Sequence, residues 1–83
     1  IKLMKELFNS YIDTTDNPVE RIKVQLILFT LGFNWGIEKG ILEACGRYIY
    51  IPTSGKLLYN RTKVDFSPYC NYKEITLEEV YKL

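Results

Sequence analysis

Cys45 and Cys70 are the only thiols in the sequence, and no histidine accompanies them. A catalytic thiol needs a base or a positive neighbour to become a thiolate, and histidine is the usual one. The two cysteines are too far apart for a CxxC redox motif, and without histidine they cannot complete a four-ligand zinc site. They read as two small buried thiols of a reducing compartment, with a single Cys45–Cys70 disulfide as the alternative. Glu78 and Glu79 are neighbours in sequence. Side chains at i and i+1 do not converge on a helix, so they form no acid–base pair, and capping and dipole roles account for both. The sequence holds no glycine-rich phosphate loop and no carboxylate cluster with metal-ligand spacing. These observations predict a protein that is not an enzyme, with no metal and no cofactor.

The aromatic residues are the remaining chemistry. Seven Tyr, four Phe and one Trp make up 14% of the chain, which is rich for so small a domain. Arg47-Tyr48-Ile49-Tyr50-Ile51 alternates, so the two Tyr point to one face of a strand and the two Ile to the other. With Ile49 and Ile51 turned to the core, Tyr48 and Tyr50 face outward near Tyr59, flanked by Arg47 and Arg61. Exposed Tyr beside Arg is hot-spot composition at protein interfaces, and the same pair can stack a nucleobase and grip a phosphate. The alternative is a solvated sheet face on which Tyr serves as a strand former. Trp35 reads as a lid on the core or as a further contact. The candidate binding residues are therefore Arg47, Tyr48, Tyr50, Tyr59, Arg61 and Trp35.

Several elements must position them. Leu3, Met4, Leu7, Phe8, Tyr11 and Ile12 recur at three- and four-residue intervals, predicting an amphipathic helix over 2–12. It docks on the rest of the fold or makes a homodimer contact. A second helix over 17–31 has the clearest boundaries. Asn17 caps it, Pro18 takes the first position, Glu20 sits where a capping box needs it, and Gly32 with Phe33 fits a Schellman ending. Residues 37–46 read as a loop with one helical turn. Two strands over 47–51 and 57–61 flank a Thr53-Ser54-Gly55-Lys56 turn, residues 62–71 are irregular, and 72–75 form a third short strand. Thr76-Leu77-Glu78-Glu79 is a capping box opening a last helix. The predicted fold class is α+β. Two N-terminal helices pack on a small antiparallel sheet centred on the 47–61 hairpin, with a short C-terminal helix, in one domain over 1–83.

Composition removes other classes. An apolar share of 47% and a charged share of 25% are those of a folded domain. Eleven basic against ten acidic residues is not the balance of a duplex-DNA binder. The longest uncharged run, Val24 to Ile37, is too short to span a bilayer. No signal-peptide pattern opens the sequence, so the expectation is a cytoplasmic protein with no membrane contact.

The order of the pieces has a precedent. Residues 24–35 (VQLILFTLGFNW), Tyr48-Ile49-Tyr50-Ile51, Gly55-Lys56-Leu57-Leu58-Tyr59 and residues 72–80 (YKEITLEEV) resemble the small early and accessory proteins of tailed bacteriophages. Those carry a helix ending in an LG[FY]-x-W segment, an aromatic strand, a glycine turn, a return strand and a closing "eIt-x-eE" segment. The resemblance covers residues 18–83 and leaves out 1–16 and the insert at 37–46. It implies a phage-encoded accessory protein that binds and inhibits a host or anti-phage defence protein by steric occlusion, with the 37–46 loop as the variable contact. The alternatives it leaves are sequestration of a small nucleotide signal in an aromatic pocket, and a regulatory or antitoxin-like module.

Overall fold

The structure is a computed structural model that describes residues 4–36, 40–43, 45–65 and 68–83. It is an α+β fold of four strands and one main helix. Strand β1 (Ser10–Asp13) is followed by helix α1 (Pro18–Thr30), strands β2 (Tyr48–Ile51) and β3 (Leu58–Asn60), strand β4 (Lys73–Ile75) and the short helix α2 (Leu77–Tyr81). Single 3-10 turns lie at Lys5–Leu7 and Tyr69–Asn71. The strands line up in the order β3-β2-β1-β4.

The boundaries of α1 are set by local chemistry. The Asn17 carboxamide accepts from the amides of Val19 (2.9 Å) and Glu20 (3.4 Å), and Pro18 opens the helix. The expected reciprocal bond from Glu20 is not made, because the Asn17 N–H is taken by the Thr14 carbonyl at 3.1 Å. At the far end Gly32 adopts φ +98°, Phe33 N–H reaches Leu28 O at 3.0 Å, and Gly32 N–H reaches Phe29 O at 3.0 Å. That is the Schellman ending, and it turns Phe33 back into the core. The Thr76–Glu79 capping box of α2 also forms, each bond 3.1 Å long.

The helix expected over 2–12 is a correction. Only the 3-10 turn at Lys5–Leu7 is helical, and residues 10–13 are a strand; residues 1–3 lie outside the described residues. Asn9 has φ +61°, which no α-helix accommodates, and it redirects the chain into the sheet. Its N–H then bonds Ile51 O at 2.8 Å, and its carbonyl accepts from Lys73 N–H at 3.0 Å. Strand β1 pairs antiparallel with β2 and parallel with β4, so it is central and the sheet is mixed, not wholly antiparallel. Two ladders of backbone bonds outweigh a helical pattern that spans only three turns.

The register places Ile12 opposite Ile49 and Tyr11 opposite Tyr50. The isoleucine face carries Ile12, Ile49 and Ile51, all fully buried against Val24 and Leu28 of α1, with Phe33, Leu57 and Val80 closing the core. The opposite face carries the tyrosines. No helix is long and apolar enough to cross a membrane among the described residues.

Candidate binding surfaces of the 47–61 hairpin

The two faces of β2 divide as the alternation predicts, but the tyrosine face is not open. Residues 61–65 and 68–72 lie across it. Tyr50 is buried, in contact with Tyr11 (ring centroids 5.7 Å apart), Tyr69 (5.5 Å) and Tyr72 (5.9 Å). Its hydroxyl accepts from the Val64 amide at 2.8 Å, and burial pushes its pKa upward. Tyr48 is half-buried, between Tyr11 and the guanidinium of Arg47, which lies 5.2 Å from the ring centroid. These rings form a second small core. Tyr50 is therefore a packing residue, and the outward Tyr48–Tyr50 face expected from the sequence is corrected on this point.

Trp35 is likewise buried and takes the lid role. Its indole N–H donates to Gln25 Oε1 at 3.1 Å, and its ring meets Tyr59 edge-on at 5.7 Å. Gln25 is fully buried and organises the loop ahead of β2. Its Oε1 also accepts from Leu42 N–H at 2.7 Å, and its Nε2 donates to Leu42 O at 3.0 Å and Arg21 O at 3.1 Å. The 37–46 loop named as a variable contact is described only at 40–43, 45 and 46; residues 37–39 and 44 lie outside the described residues.

Among the described residues, two open surfaces carry residues of the expected set. The first is the β3 edge. Tyr59 pairs with Ile49, so it lies on the opposite face of the sheet from Tyr48 and Tyr50 and does not extend their group. It is 47% exposed and Leu58 is 41% exposed. β3 is the last strand on its side, and Asn34 covers only the preceding residues, through an isolated parallel bridge to Lys56. Arg61 follows directly and is exposed.

The second is a cleft of about 490 Å³ lined by Arg21, Arg47 and Arg61 with Asp16, Glu43, Cys45 and Gly46. Arg47 is held by a two-pronged bond to Asp13, Nε to Oδ1 at 2.7 Å and NH2 to Oδ2 at 2.9 Å. The Arg47 guanidinium outweighs partial burial and holds the Asp13 carboxyl below its ordinary range, helped by the Thr15 amide at 2.8 Å. Thr14 fixes the Arg47 backbone, donating Oγ1 (2.6 Å) and N–H (2.9 Å) to its carbonyl. Arg21 donates NH1 to Cys45 O at 3.1 Å and lies 3.5 Å from Asp16. Gly46 permits the closure. A Cβ there would stand 2.5 Å from Asn60 C and O, so only glycine lets the segment ahead of β2 lie against Asn60 and Arg61.

The structure thus joins Arg47 and Arg61 from the expected set and adds Arg21, which is not among the candidate residues read from the sequence. Its signal was position. A cation in the first turn of α1 faces the positive end of the helix dipole, a placement that favours a nearby anion. Cys45 is buried, with its thiol pushed up by burial, but Cys70 is exposed, against expectation; both are free. Among the described residues no group of side chains could hold a metal ion.

Comparison with protein-family models, with curated proteins and with solved structures finds no match to this chain.

Proposed function

We propose that this chain is a non-catalytic accessory protein of the kind tailed bacteriophages encode, and that it inhibits a host or defence protein by occluding part of its surface with the β3 side of the hairpin. The observation that carries the reading is the pair Leu58 and Tyr59, two exposed apolar side chains on an edge strand that ends beside the exposed Arg61. Edge strands offer unpaired backbone groups to an incoming chain, and natural sheets commonly protect such edges with charge or proline. The β4 edge has that protection in Lys73 and Glu74; Leu58-Tyr59-Asn60 has none. Tyr and Arg are the residue types that most often dominate interface energetics. The buried tyrosine layer is spoken for by its own stacking, so it gives a nucleobase no free platform.

The test uses the tagged chain in a bacterial lysate beside the double variant Leu58→Lys, Tyr59→Ser. Both positions are exposed but Tyr59 also meets the Trp35 ring, so circular dichroism and the melting temperature of the variant are measured first to establish that it is folded. A host protein retained by the natural chain and lost with the variant is expected. Retention by both overturns the assignment of the β3 edge.

A further inference from the structure

We propose that the arginine cleft is a phosphoryl-binding site, and that Asp16 is its internal competitor. Three arginines from three separate segments line it, Arg21 in α1, Arg47 before β2 and Arg61 after β3. Guanidinium forks arriving from different directions suit a tetrahedral oxyanion with acceptors on several sides better than a planar carboxylate. Two of the three are already held in place by the protein. Arg47 is fixed by Asp13 and by the ring of Tyr48, and Arg21 by the Cys45 carbonyl. Groups held before binding lose less freedom on binding.

The donors are not exhausted by these contacts. The Arg21 Nε is sealed from solvent and has no hydrogen-bond partner among the described residues. Arg61 has no ion-pair partner among them either. The start of α1 adds the positive end of its dipole on the same side.

Two carboxylates line the cleft, Asp16 and Glu43, and Asp16 is the one that pairs with an arginine of the cleft. It lies 3.5 Å from Arg21 NH1, too long for a strong bond, and its side chain is 73% exposed. The turn that presents it is strained, with Thr15 at φ +55° and Asp16 at φ +58°. A β-branched residue rarely adopts that region, and such strain is found where the surroundings over-determine the position. The carboxylate therefore lines the cleft as a loosely held anion beside Arg21. The cleft volume exceeds that of one phosphate, and none of its lining residues is aromatic, so recognition rests on the phosphoryl group and not on a stacked base.

Arginine Nε–H resonances of the labelled chain, titrated with inorganic phosphate and with a nucleoside monophosphate against sodium chloride of matched ionic strength, test this. The expected result is a saturable shift of the Arg21 and Arg61 signals with the two phosphorylated probes and none with chloride. Equal affinities mean that the phosphoryl group alone is read, and a tighter monophosphate means that the rest of the cleft is used as well. Arg61→Ala, at an exposed position, should weaken binding about tenfold or more. Asp16→Asn, which tolerates the same backbone region, should tighten it about threefold. A response that chloride reproduces, or an affinity unmoved by either substitution, overturns the site. Leu58→Lys, Tyr59→Ser leaves phosphate binding unchanged, so this inference and the proposed function fail independently.

Discussion

Asp13 and Arg47 close a two-pronged ion pair across 34 residues of sequence, from the end of β1 to the residue just before β2. The pair ties the mouth of the arginine cleft to the central strand. Asp13 Oδ1 also accepts from the Thr15 amide, so one carboxylate orients Arg47 and shapes the turn that carries Asp16.

This pair sets an acid limb on stability. The carboxyl pKa of Asp13 is lower in the folded chain than its ordinary value of 3.8. The folded state therefore binds the proton less well than the unfolded state. The stabilisation is present in full above about pH 4 and is lost as pH falls through the folded value. Asp13→Asn should cost about 1 kcal/mol at pH 7, a modest figure because Arg47 is 41% exposed. Urea unfolding at pH 7 and at pH 2.5 checks it. The gap between natural chain and variant should shrink at the lower pH, and a gap that does not change with pH contradicts the assignment.

Local signals were legible in the sequence, and long-range ones were not. Asn17-Pro18, Gly32-Phe33 and Thr76–Glu79 each bond within a few residues, so the ends of both helices could be read directly. The β2 alternation correctly sent Ile49 and Ile51 to the core. The nature of residues 10–13 depended on partners at 48–51 and 73–75, which no local pattern announces. Tyr50 was misplaced for a related reason. Its cover comes from Val64, Tyr69 and Tyr72, in a stretch whose irregular composition carried no periodicity to read. Of the cleft, Arg47 and Arg61 were legible as hairpin flanks. Arg21 joins them only because the Gln25 contacts and Gly46 bring the loop before β2 against α1.

Gln25 is the buried hub of that arrangement. One carboxamide oxygen serves both Trp35 and Leu42, while its nitrogen serves Leu42 and Arg21. Gln25→Leu is close to isosteric but orphans the Trp35 indole N–H and both backbone groups of Leu42. A loss of about 2–4 kcal/mol is expected, because several buried groups lose their partners together. Trp35 fluorescence during urea unfolding measures it. The native emission of the variant should also shift, since the indole loses its acceptor; an unchanged midpoint would mean that the hub contributes little.

The tyrosine layer separates packing from contact within one residue type. Tyr50→Phe keeps the ring among Tyr11, Tyr69 and Tyr72 but leaves the Val64 amide without the hydroxyl it donates to. That amide is buried, so the change should cost about 1–2 kcal/mol. Tyr59→Phe removes a hydroxyl from a side chain that is 47% exposed, and should stay within about 0.5 kcal/mol of the natural chain. Thermal unfolding of the two variants side by side, with hydrogen exchange at the Val64 amide, checks both. Faster exchange at Val64 in Tyr50→Phe alone is expected, because this bond pins the segment that crosses the sheet. Equal melting temperatures for the two variants would return Tyr50 to the list of surface residues and reopen that face as a binding site.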